Sequence, residues 1–320
     1  MRAPRHQEFE NIIANYFHNA DVNAEEEQER LSNLFKRAKR AVDLAADHWR
    51  TVEPQLASRL VVAFTTGLAI SPEATGQPPE YYRIIIPLSL IHRMSDIAER
   101  CDSSLREKPF MVSDADVVVL IAVLLAFGHE FYHAIAGHVG LNLPDGTAAP
   151  NDFQEVSSDF MGAACVARWL VADDIEALLA IGEHDTRARG FQVMFAFTLL
   201  ALVFRDEAGE GYPQPTERLR TFLDGFAFGC EGFWWEVHPL IKLTQIEPHD
   251  ALHKVFEGAA LGERARRLWL NMPDEYDGGS RVYAPADQTT RRNWYNNAPL
   301  LRPIAKDLLQ IVPRASKERK

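Results

Sequence analysis

The alternation of apolar and polar positions divides the chain into a charged front, a short β-rich stretch and a long helical middle. Over about 23–49, Leu31, Leu34, Phe35, Ala38, Val42 and Ala45 recur at three- and four-residue steps in a charged background, the stripe of an amphipathic helix. Its acidic opening, Glu25, Glu26 and Glu27, suits the positive end of a helix dipole, so no chemistry is assigned to it. Two runs rich in β-branched and aromatic residues follow at 59–65 and 81–87 and predict a small sheet. The edge of either run is expected to be able to receive an extended peptide. The segment between them, SPEATGQPPE, has the proline and glycine content of a loop. Beyond Ser89 helical periodicity takes over, with helices predicted over about 89–100, 113–139, 153–171, 174–182 and 188–205.

Two of these helices hold apolar runs, at 117–127 and 190–204. Both runs fall short of the ~18–20 apolar residues that cross a bilayer, Gln192 and Thr198 interrupt the second, and the mean hydropathy is −0.20. They predict core helices and no membrane span. After Gly211 the texture changes to Tyr-Pro-Gln-Pro, then Phe233-Trp234-Trp235, then an Asp-, Gly-, Asn- and Pro-rich stretch at 271–297. That stretch reads as a long irregular loop. The expected fold class is α+β, predominantly helical, with a helical N-terminal extension at 1–50, a core at 51–225 and a helical and loop region at 226–320 packed on that core.

Composition narrows the function classes. A chain of 320 residues with 47% hydrophobic and 25% charged residues buries a large core without cross-links. The net charge of −11 removes the basic footprint of a nucleic-acid binder. The three cysteines, Cys101, Cys165 and Cys230, have no paired spacing, so neither a disulfide framework nor a cysteine zinc site is expected. With no apolar run of a secretory signal behind MRAPRHQEFE, the expected location is the cytoplasm.

The chemistry concentrates where the first apolar run ends, at His129-Glu130-Phe131-Tyr132-His133, an HExxH pattern. Residues four apart on a helix differ by about 40° in direction, so both imidazoles leave one face and can hold one Zn²⁺. Glu130 is about 100° round from His129, within reach of a water at such a metal. A core helix end whose histidines bond each other would carry the same letters. Twenty-two residues beyond His133, Glu155 and Asp159 again stand one turn apart. One carboxylate can supply a third ligand while the other bonds the far nitrogen of a ligating histidine; a solvated acidic pair at a helix start is the alternative.

His138 follows His133 by five residues, with Gly137 beside it, whereas a metzincin places its third histidine six after the second. On a continuous helix His138 points about 180° from His129, so a substrate-side or surface role is expected. A di-iron bundle would need a second ExxH unit, and Asp250-Ala251-Leu252-His253 is the nearest substitute.

HEFYH followed by EVSSD resembles the gluzincin branch of HExxH zinc metallopeptidases, whose member thermolysin uses two histidines and a glutamate as ligands. The resemblance covers about 113–170, one-sixth of the chain. It implies a zincin-like pair of site helices, with His129, His133 and Glu155 as zinc ligands, Glu130 as general base and Asp159 orienting a ligand. HEFYHAIAGH in a chain of this size is also similar to the phage-exclusion, Lit-type peptidases of bacteria, which cleave a cytosolic host protein during infection. The segment 212–219, YPQPTERL, looks like the His-Pro-x4-Arg-hydrophobic segment of several HExxH families, with Tyr212 where those have histidine.

The expected function is a zinc-dependent endopeptidase acting on an intracellular protein or peptide substrate, with Tyr212, then His138, as candidate oxyanion donors. The competing expectation is a non-hydrolytic regulatory or binding protein with a structural metal. A peptidase in the cytoplasm would need narrow specificity or a regulatory partner, and the 271–297 loop is the expected gate.

Overall fold

A computed structural model describes residues 4–52, 59–77, 81–105, 115–135, 139, 151–170, 172–179, 186–207, 218, 221, 222, 225 and 226. The chain runs α1 (Pro4–Asn19), α2 (Glu25–Val52), β1 (Leu60–Thr65), β2 (Glu73–Gln77), β3 (Tyr81–Pro87), α3 (Leu88–Leu105), α4 (Ala115–Ile135), α5 (Asn151–Trp169), α6 (Asp173–Leu179) and α7 (Thr186–Glu207). The fold is α+β and predominantly helical, as the periodicity predicts. His138, Tyr212, the tryptophan pair at 234–235, the 271–297 loop and nearly all of the predicted 226–320 region lie outside the described residues.

The sheet departs from the prediction in two ways. Its strand order is β1-β3-β2, with β1 parallel and β2 antiparallel to β3. The segment read as a loop therefore contains a strand, with Ala74 opposite Ile84 and Gly76 opposite Tyr82. β2 has no apolar alternation because it is a half-exposed edge held by backbone bonds, and Gly76 takes φ 154° there, which a side chain would resist. The second departure concerns the edges: β3 is central, so among the described strands the edges belong to β1 and β2.

The helical extension expected at 1–50 consists of two helices, with α1 preceding the one whose stripe is read over 23–49. The α1 stripe of Phe9, Ile13 and Tyr16 is buried, at 6%, 3% and 2% exposure, and packs with the α2 stripe, Tyr16 edge-on to Phe35 at 5.4 Å. Asp21, at φ 54°, turns the chain between the two helices. The stripes of α1 and α2 join the same hydrophobic cluster as the sheet and the later helices.

At the centre lies α4, against which α2, α3, α5, α7 and the strands β2 and β3 all pack. Val117 to Phe127 are each 0–1% exposed, which accounts for a helix apolar on every side. Taken as a whole helix, Ala115–Ala134 is 20 residues of hydropathy 1.8, long enough to cross a bilayer where the shorter run is not, but 94% of it is buried inside the protein. It is a core helix.

Candidate metal centre

The last turns of α4 carry the polar residues that its apolar middle, 117–127, excludes. Phe131 and Tyr132, inside the HExxH pattern, face the core at 1% and 3% exposure. Trp49 of α2 packs on Phe131 at 4.8 Å, and Trp169 of α5 on Phe127 at 5.5 Å, bracing this end of the helix from two sides. His129 and Glu130 are buried at 2% and 6% exposure, and the side chain of His133 keeps 13%.

α5 approaches α4 through glycines. A Cβ on Gly162 would stand 2.7 Å from the backbone nitrogen of His129, and one on Gly128 would stand 2.9 Å from the carbonyl oxygen of Gly162. The two backbones touch, so the short carboxylates on the Gly162 face of α5, Glu155 and Asp159, reach the imidazoles of α4.

His129 is held at both ring nitrogens. Its Nδ1 lies 2.8 Å from Asp159 Oδ1, an ion pair rather than an aligned hydrogen bond, because the ring N–H does not point along it. Its Nε2 lies 3.0 Å from His133 Nε2 and 3.3 Å from Glu155 Oε2. The other oxygen of Glu155 is 3.4 Å from His133 Nε2, and Glu130 Oε1 stands 3.9 Å from His129 Nε2. The four residues expected to act together, and Asp159 behind them, are brought together.

The electrostatics follow from burial among unlike charges. Burial disfavours the imidazolium of His129, but Asp159 and Glu155 outweigh it and push the pKa up to about 10. Burial raises Glu155 too, yet the two histidines dominate and hold its carboxyl well below the usual carboxylate range. Glu130 moves the other way: burial lifts its pKa against the pull of His129 and His133. Two neighbouring carboxylates thus have opposed proton affinities, an arrangement that separates a ligand from a proton carrier.

Arg218 is the residue whose place here the sequence reading did not foresee. It is 4% exposed, donates through Nη2 to Glu155 Oε2, approaches Asp159 Oδ2 with Nε at 3.3 Å, and lies over the Phe204 ring at 4.7 Å. Its one trace in the sequence was the arginine of the 212–219 segment. It links both α5 carboxylates and so fixes the face that Glu155 presents.

The donors suit a transition metal of the zinc class. Nε2 of His129, Nε2 of His133 and one oxygen of Glu155 all lie within 4.8 Å of one another. A tetrahedral zinc with bonds of ~2.0–2.1 Å separates its ligands by about 3.3 Å; the two histidine nitrogens stand 3.0 Å apart, and the two oxygens of Glu155 stand 3.3 Å from His129 and 3.4 Å from His133. Asp159 occupies the far nitrogen of His129 and so directs Nε2 to the point where the three donors converge. No protein family, no characterised protein and no solved structure matches the chain, and the chemistry rests on these residues alone.

Proposed function

We propose that the protein is a zinc-dependent endopeptidase of the gluzincin kind, acting on a protein or peptide substrate within the cytoplasm. The observation that supports this reading most is the convergence of His129, His133 and Glu155 on one point, with the Glu130 carboxylate beside it. Zinc held there would supply Lewis acidity, lowering the pKa of water and polarising a carbonyl group. Glu130 would take a proton from the attacking water and hand it to the departing amine, a role its raised pKa favours. Glu155, kept anionic, would remain a ligand, with Arg218 fixing the carboxylate. Asp159 would hold the His129 ring in register. β2, an edge of the described sheet in the strand pair that packs on α4, is the place proposed for an extended peptide to add as a further strand. Tyr212 and His138 remain the candidates for oxyanion donation.

The burial of His129 and Glu130 also suits a closed structural metal site in a protein without hydrolytic activity, and one substitution separates the two readings. Glu130→Gln should keep metal, measured by elemental analysis, while peptide cleavage falls by about 10²–10⁴-fold. Unchanged cleavage would sink the mechanism. Glu155→Ala should lose metal on dialysis, and full occupancy in that variant would exclude Glu155 as a ligand.

A further inference from the structure

Between α2 and α3 a second group of donors converges. His92 and Asp96 stand one turn apart on α3, and Glu27 reaches them from the first turn of α2. His92 Nε2 lies 3.5 Å from Glu27 Oε1 and 3.5 Å from Asp96 Oδ1, and one donor atom from each of the three falls within 4.8 Å of the others. We propose that Glu27, His92 and Asp96 form a second divalent-metal site, separate from the buried centre, that takes a cation of the zinc class where α1, α2 and α3 meet.

Three observations carry this. The ring of His92 is oriented from behind: the Tyr16 hydroxyl, on a residue 2% exposed, lies 2.8 Å from Nδ1 and leaves Nε2 for the two carboxylates. A fixed outer partner of this kind sets the tautomer of a ligating histidine. The two carboxylates also have no basic partner other than His92 among the described residues. Arg30, the nearest cation along α2, is engaged by Glu99 and Ser95. Finally, the donor set is mixed, and the 3.5 Å spacings lie close to the ~3.3 Å of tetrahedral zinc ligands; calcium and magnesium would want oxygen throughout. Half-exposed carboxylates leave the remaining positions to water, and burial together with Asp96 and Glu27 pushes the Tyr16 phenol up to about 12, as a negative pocket should.

A cation here would tie α2 to α3 and, through His92 and Tyr16, to α1. The test is the zinc count of the full chain after equilibrium dialysis against zinc, comparing wild type with His92→Ala and with Glu27→Gln/Asp96→Asn. Glu27 and Asp96 are 42% and 34% exposed, so the double change perturbs the fold less than His92→Ala, at 18%. The expected result is a loss of about one zinc per chain in each variant, with a zinc-dependent rise in thermal midpoint that disappears in both. An unchanged count in both variants would overturn the proposal and leave His92 as an ion-paired histidine. The outcome is independent of the buried centre: a fall from about two to one means that both sites bind, and a fall from one to none means that only this one does.

Discussion

Asp159 is fully buried and faces two cations, His129 at 2.8 Å and Arg218 at 3.3 Å. Removing its charge leaves both behind, so Asp159→Asn should weaken zinc binding by about 10–100-fold, read by competition with a chromophoric chelator. The same pair sets a pH dependence for the metal-free protein. His129 has a folded pKa of about 10 against 6.5 for an ordinary histidine. A raised pKa stabilises the fold in full below about pH 6.5, and the contribution is lost as pH rises toward 10. Thermal melts in excess chelator should show the midpoint falling across that window, less steeply in Asp159→Asn. At this scale the sequence was informative: His129, Glu130, His133, Glu155 and Asp159 follow from one-turn spacings on two helices, which local periodicity displays. Arg218 is 63 residues from Glu155, and no local pattern announces so distant a partner.

Among the elements, those whose apolar pattern faces a core were legible and those held by other forces were not. The predicted helices match α2 to α7 within a few residues at most ends, because each buries a stripe or a whole surface. β2 was missed because its partners are backbone groups of β3. α1 differs: Phe9, Ile13 and Tyr16 form a readable stripe, narrow and set among charges, and only the stripe of α2 against it shows why it folds. The element bearing the most packing is α4, and truncation there should be costly. Leu124→Ala, at a position with no exposure, should lower stability by about 2–5 kcal/mol by urea denaturation. Such a loss can unfold the domain outright, since native stability is only ~5–15 kcal/mol.

For the molecule as a whole, a metal at the buried centre would bridge α4 to α5. Anything that binds the folded chain and not the unfolded one raises stability by mass action, so chelator treatment should lower the thermal midpoint of wild type by more than that of His133→Ala, which keeps only the Glu27, His92 and Asp96 site. Equal shifts in both would place the chelator's effect elsewhere. The helical α+β character was legible from periodicity and the burial of α4 from its apolar run, but the neighbours that cover it were not. The apolar run of α4 measured its hydrophobicity, while the layers around it come from residues as far away as Trp49 and Phe204.

The glycine contact between α4 and α5 makes the two positions thermodynamically inseparable. Gly128 and Gly162 share a single gap, with Cβ approaches of 2.9 and 2.7 Å, so one methyl group at either position must spread the helices. Once they are spread, much of the room for a second methyl already exists. Gly128→Ala/Gly162→Ala should therefore lose less stability than the sum of its single variants, by more than the ~0.5 kcal/mol within which distant sites add. A drift at one position would make the other permissive, and the two residues would be free to change only in sequence, each substitution opening the way for the next.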